Sequence, residues 1–309
     1  MTYNEETDVV RLEVSLPTPL IHPTPGDYFF LYQPFRWTGW ESHPFTVGAW
    51  SSNLGSISSP SKMLRKSSES LSVSQMPLLP SGSQSREGMM LTEQTSTNDN
   101  TARLTAIFWI RPYDGWTRHL RQQCLCAKSQ PVNTTILLEG PYGHHFPLWK
   151  YESVLIIVGG TGIASAVPYL QDHLRRSGQD WEEASEEKTR IRDIELIWTA
   201  KQVPFLKDVA SRELKPLLLR EDFQASFYTT GPSIIPSEDV TDFGYEITPG
   251  RPHLQSLIMS RACDASSTGI SLAVLACGPV GMADEARAAA HLAMRQGYRI
   301  KYVEESFAW

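Results

Sequence analysis

His43-Pro44-Phe45-Thr46 puts an aromatic ring next to a hydroxyl, a pair suited to a flat heterocycle: the ring lies against it and the hydroxyl hydrogen-bonds it. Arg111, followed by Gly115-Trp116-Thr117 at the opening of a helical stretch, gathers a guanidinium, a hydroxyl and free helix N–H groups, which together suit a diphosphate. Gly159-Gly160-Thr161-Gly162-Ile163 follows the apolar run Val154–Val158 and leads into a helix. Glycines there let backbone approach a pyrophosphate while the helix N-terminus adds N–H groups and a positive dipole end. Ser165 replaces the third glycine of a GxGxxG fingerprint. Cys277-Gly278-Pro279 ends another apolar run, where open α/β sheets bind ligands, although alone such a thiol is commonly packing. His144-His145 do not make a metal pair, because neighbours on an extended segment point to opposite faces.

Two kinds of element must hold these groups. Val10, Leu12, Val14 and Leu16 alternate with polar residues, Tyr28–Tyr32 follows a Pro25-Gly26 turn, and Leu104, Ala106, Phe108 and Ile110 alternate again. A helical patch over Trp116–Cys126 and a strand at Thr134–Leu138 complete an antiparallel unit, expected as a small closed barrel over 1–150. Residues 51–100 contain fifteen serines and little periodicity, so this stretch buries too little apolar surface to offset ordering and reads as a disordered insertion. From Val154 the texture changes to apolar runs each followed by a helical pattern: Val154–Val158 with a helix from Ile163, Asp193–Trp198 with one from Pro204, Ser271–Ala276 with one over Met282–Arg295. This predicts a parallel-sheet α/β domain over 151–309, with surface loops at Gln179–Lys188 and Gly231–Thr248.

The 309 residues suffice for two cores, and a net charge of −6 argues against a nucleic-acid partner. The four cysteines form no CxxC pair, the opening Met-Thr-Tyr-Asn-Glu-Glu does not read as a signal peptide, and the longest apolar stretch is broken by glycines and Pro168. A reducing compartment and a cytoplasmic chain are expected, with membrane association if it is a fragment.

The order of the motifs carries a further expectation. HPFT at 43–46, R-x3-GWT at 111–117, GPYG at 140–143, GGTGI at 159–163, W-x-x-K at 198–201, GRP at 250–252, CGP at 277–279 and EESFAW at 304–309 follow one another in a known sequence. The chain resembles the C-terminal dehydrogenase region of fungal ferric-chelate reductases and related NADPH oxidases, in the ferredoxin-reductase-like superfamily. The resemblance covers nearly everything outside 51–100. It implies FAD and NADPH as cofactors, hydride transfer from NADPH to flavin N5, and single electrons passed onward to haem, ferric chelate or another acceptor in electron and iron transport. It assigns the isoalloxazine to Phe45 and Thr46, with Thr46 near N5, and the ribityl and pyrophosphate to His43, Arg111 and Thr117 of the HPFT and GWT segments. Gly160, Thr161 and Gly162 take the NADPH diphosphate, Lys201 and Arg251 the 2′-phosphate, and Cys277 of the CGP turn the nicotinamide side. Trp309 covers the flavin face and swings aside for transfer. Thr46, Cys277 and Trp309 are thus nearest the chemistry, with Glu304 or Glu305 as a proton relay.

Three departures stand out: Lys201 replaces the family's arginine and loses its bidentate fork, the first barrel strand before Asp8 is short, and the membrane domain with two haems is missing. A membrane haem subunit or a missing N-terminal membrane domain is therefore the implied partner. The rival readings are a soluble NAD(P)H diaphorase with no haem partner and a non-catalytic relic or interaction module.

Overall fold

A computed structural model describes residues 1–16, 22–34, 41–53, 103–178, 188–231 and 245–305. Trp309, nearly all of the serine-rich stretch, residues 179–187 and most of 231–248 lie outside the described residues.

The first half contributes β1 (Thr2–Asn4), β2 (Val9–Leu16), β3 (Tyr28–Tyr32), β4 (His43–Thr46), β5 (Ala49–Asn53), β6 (Arg103–Ile110), α1 (Gly115–Cys126) and β7 (Leu137–Tyr142). Alternation makes two antiparallel sheets, ordered β1-β2-β6-β5 and β4-β3-β7, that share one core. Val10, Leu12, Phe108 and Ile110 from one sheet meet Phe29 and Leu31 from the other, and Trp116 and Leu120 of α1 close the end. The expected barrel takes this form of two sheets about a common core. Two boundaries differ from expectation. The last strand lies at Leu137–Tyr142, three residues later than its apolar signal, and takes in most of GPYG. Pro141 is tolerated because β7 is a sheet edge and the β3 pairing shifts register between Tyr28 and Phe30. Strand β5 also claims Ser51, Ser52 and Asn53 from the serine-rich stretch, paired to β6.

The second half contributes β8 (Ser153–Gly159), α2 (Ile163–Ser177), β9 (Asp193–Ala200), α3 (Val203–Arg212), α4 (Lys215–Leu218), β10 (Phe223–Thr229), β11 (Ile247–Pro249), α5 (Leu254–Thr268), β12 (Leu272–Cys277), α6 (Val280–Arg295) and β13 (Ile300–Glu304). Its six strands are all parallel and ordered β11-β10-β9-β8-β12-β13. Strands β8 and β12 are buried throughout, as runs covered on both faces require. In α6, Ala286, Ala289, Ala290 and Ala293 form the buried stripe, small enough to let the helix lie close to the sheet. The chain leaves β8 toward β9, β10 and β11, then returns to the other side of β8 to add β12. The order therefore reverses between β8 and β12, and the crevice outside their carboxyl ends is where open α/β sheets take ligands. Ile247 and Thr248, expected at the end of the surface loop Gly231–Thr248, pair with β10 in the edge strand β11.

At the opposite end of the sheet, Arg220 grips both carboxylate oxygens of Asp222, and the buried His173 Nε2 lies 3.1 Å from it. Arg220 first, and His173 after it, hold the Asp222 carboxyl down at about 2. With its folded value below the ordinary 3.8, Asp222 contributes stability that is complete above about pH 4 and lost as pH falls toward 2. Acid titration of Asp222→Asn should show lower stability at neutral pH and a shallower fall between pH 4 and 2 than the parent. An identical acid limb would rule this role out.

Candidate functional site

Glycine geometry joins the two turns at the switch point. A Cβ on Gly162 would fall 2.6 Å from the Cys277 carbonyl oxygen, and one on Gly278 would fall 2.9 Å from the Gly159 nitrogen. GGTGI and CGP therefore touch backbone to backbone. Gly160 is in the left-handed region at φ +56, and a side chain there would meet nothing within 4 Å among the described residues, so the turn presents bare backbone. Trp198, fully buried at the end of β9, donates its indole N–H to the Gly160 carbonyl at 3.0 Å and pins the turn. The W of W-x-x-K thus positions the glycine loop, a role that spacing alone did not reveal. Ser165 donates to the Gly162 carbonyl at 2.9 Å from the first turn of α2.

Burial pushes the Cys277 thiol up to about 12, which Ser165 opposes only in part. It remains a neutral thiol at physiological pH and acts as a packing surface. The two C-terminal glutamates separate clearly. Glu304 is clamped by Arg287, at 2.6 to 3.0 Å, which lowers its pKa and keeps it ionised. Glu305 is raised by burial, accepts a bond from the Tyr169 hydroxyl at 3.4 Å, and donates its own N–H to the Ala276 carbonyl at 2.9 Å. Of the pair, only Glu305 is raised, and its N–H ties it to the strand end that carries Cys277.

Tyr169 also ties this edge to the antiparallel half. Its hydroxyl accepts from the Phe146 N–H, and a Cβ on Gly26 would come within 3.6 Å of it. The next residue, Asp27, accepts from the N–H of Val47, adjacent to Thr46. The HPFT strand end and the CGP turn are thereby linked through a short chain of contacts. Tyr169 was invisible in the sequence because it sits in an apolar run that reads as core.

Within HPFT, the ladder pairs Thr46 with Tyr28, Phe45 with Phe29, Pro44 with Phe30 and His43 with Leu31. Successive residues face opposite sides. Phe45 packs on the core against Trp116, with ring centroids 5.8 Å apart, while Thr46 and Pro44 share the other face with Tyr28 and Phe30. The geometry therefore divides a pair that sequence reading placed together on one heterocycle. The Thr46 hydroxyl is buried with no hydrogen-bond partner among the described residues, so it is available to a further group. The aromatic face beside it comprises Tyr28, Phe30 and the half-exposed Tyr142, with centroids 5.7 and 5.8 Å from Tyr142. That face carries flat surface which the motif reading missed. Its signal was the all-aromatic alternation of Tyr28, Phe30 and Tyr32.

Around α1 the indole of Trp116 is wholly buried and donates toward Gln33 at 3.4 Å, so only its backbone N–H remains for an anion. The Thr117 hydroxyl is engaged in the same turn, accepting from the Tyr113 N–H and donating to the Asp114 carbonyl. Arg111 reaches across to Gln202 at the start of α3, Nη2 to Oε1 at 3.0 Å, while its Nε is buried without a partner among the described residues. At the other margin, Lys201 follows β9 and Gly250-Arg251 follows β11, both exposed at the same sheet edge. Two strand spacings, roughly 10 Å, separate their backbones, a span that two long side chains bridge. A cavity of about 410 Å³ lies elsewhere, between β2 and α3; its arginines are already held, Arg11 by Glu13 and Glu213 and Arg212 by Asp208.

Residues 151–242 match the ferric reductase NAD binding domain. The chain is related to the ferric reductases. What it matches is their C-terminal FAD- and NADPH-binding region. It is 24% identical over an aligned length of 324 to ferric reductase transmembrane component 3 of Saccharomyces cerevisiae, covering 98% of this chain and 38% of that protein. It is 35% identical over 86 residues to ferric reduction oxidase 7, chloroplastic, of Arabidopsis thaliana, covering 23% of this chain and 11% of the relative. The chain thus spans well under half the length of these relatives. Among solved structures, flavohemoglobin from Malassezia yamatoensis with bound FAD and heme aligns with a TM-score of 0.52 at 15% identity, over 96% of this chain and 56% of that one, a likeness of fold.

Proposed function

We propose that this chain is an NADPH-dependent FAD oxidoreductase, the electron-entry module of a ferric-reductase system. It divides near residue 150 into an FAD-binding part (1–150) and an NADPH-binding part (151–309). The observation that carries this reading is the pair of abutting glycine turns at the carboxyl ends of β8 and β12, tied through Tyr169 and Glu305 to the strand end bearing the unpaired Thr46 hydroxyl.

The residues fit both groups. Bound FAD supplies the chemistry, accepting two electrons as hydride from NADPH and releasing them one at a time. Thr46 hydrogen-bonds an edge of the flavin, and the Tyr28–Phe30–Tyr142 face offers it flat contact. Arg111 and the α1 N-terminus neutralise the FAD diphosphate. The N–H groups of the Gly160–Gly162 turn carry the NADPH diphosphate, Lys201 and Arg251 its 2′-phosphate, and Cys277 offers small, uncharged contact to the nicotinamide. Burial raises the Glu305 carboxyl above the ordinary glutamate range, and it accepts from the Tyr169 hydroxyl beside the Cys277 strand end. Trp309, just beyond the described residues, is the proposed cover of the flavin face.

No helix among the described residues is long and apolar enough to cross a membrane. The relatives named as transmembrane components extend well beyond the aligned region. We therefore assign the next electron carrier to a haem-bearing membrane domain, on the same polypeptide or a separate subunit, with this module on its cytoplasmic side. Purified chain supplied with FAD and NADPH should reduce ferricyanide or a tetrazolium dye and show no Soret band of its own. FAD-loaded protein that reduces no soluble acceptor would overturn the oxidoreductase reading.

A further inference from the structure

Helix α1 begins without a local cap. Its N-cap residue Asp114 makes no capping bond and instead pairs with Arg118 at 2.6 Å, while Thr117 is spent on Tyr113 and Asp114. The anion at this helix start comes from far away in sequence. Glu41 Oε2 accepts the Trp116 N–H at 3.2 Å and lies 3.0 Å from where a Gly115 Cβ would be, with Gly115 in the left-handed region at φ +55. Glu41 is itself exposed and stands two residues before β4, the HPFT strand.

We propose that Glu41 is a built-in competitor for the FAD diphosphate, an intramolecular carboxylate that occupies the α1 N-terminus of the apoprotein and must leave for FAD to bind. The inference rests on the flavoprotein reading above. One helix N-terminus offers about half a positive charge, and two anions contending for it repel each other at close range in a partly dehydrated site. Whichever group holds the N–H donors excludes the other. An exposed glutamate gives up this contact readily, because water solvates the released carboxylate. Satisfying the bare helix end until FAD arrives, and lowering FAD affinity by the same interaction, are thus one effect.

The test uses the full chain stripped of flavin, with binding followed by quenching of flavin fluorescence. Glu41→Gln should bind FAD about three- to tenfold more tightly than the parent, mainly through faster association. Riboflavin, which has no phosphate, should bind the two proteins equally. Glu41→Ala should change FAD binding in the same direction. FAD bound equally or more weakly by Glu41→Gln, or an equal gain for riboflavin, would overturn the competitor role alone. Failure of every form to bind FAD would overturn the flavoprotein reading and the inference together.

Discussion

Replacing Lys201 and Arg251 together by alanine should lower kcat/KM for NADPH by about thirty- to a hundredfold and leave NADH within about threefold. Each cation forms a charge-assisted contact with a 2′-phosphate, and such contacts contribute about 1.5–3 kcal/mol apiece before exposure and salt reduce them. Both residues are exposed at the carboxyl edge of the parallel sheet, at the ends of strands two apart, so two separate contacts on one dianion are lost. No acidic residue directly follows Trp198 to grip a ribose diol, so the variant gains nothing for NADH. Lys201→Arg should sharpen the preference, since a guanidinium adds the fork that an ammonium lacks. Steady-state kinetics with both nucleotides, at two salt concentrations, checks this. Equal losses for NADPH and NADH would remove these residues from the 2′-phosphate site.

The second large effect belongs to Arg111. Arg111→Ala should weaken FAD binding about ten- to a hundredfold, the loss of one charge-assisted contact to a diphosphate. The same guanidinium bridges to Gln202, next to Lys201, so a purely structural role would weaken the contact between the halves without touching flavin affinity. Gln202→Ala separates the two roles: it should leave FAD affinity within about twofold while Arg111→Ala does not. Flavin titration of both apoproteins decides it, and equal FAD affinity in Arg111→Ala and the parent would remove Arg111 from the diphosphate site.

The parallel half was legible because its signals are local. Val154–Val158, Asp193–Trp198 and Ser271–Ala276 are apolar runs ended by glycine or polar turns, and each became a strand within a residue or two of the expected bounds. Elements without a clear signal have weaker patterns. Strand β10 mixes Gln224 and Ser226 into its run, and β13 has only five residues. Helix α5 shows four buried positions, Leu254, Ile258, Ala262 and Ala265, among many serines, although His253 at its start and Gly269 at its end are recognisable caps. In the site, sequence order identified the motifs but not which face each side chain takes. Strand alternation turned Phe45 into the core and left Thr46 on the other side, and burial of Trp116 confined its part to a backbone N–H. Tyr169, Glu41 and the Trp198 indole act through contacts between residues 23 to 136 apart, which no local pattern encodes.

Anaerobic mixing of the FAD-reconstituted chain with NADPH tests the central claim most directly. The oxidised-flavin absorbance near ~450 nm, a property of the cofactor class, should disappear completely with about one equivalent of NADPH per flavin, and more slowly with NADH. A protein that binds FAD one to one yet keeps its oxidised spectrum under excess NADPH would contradict the account.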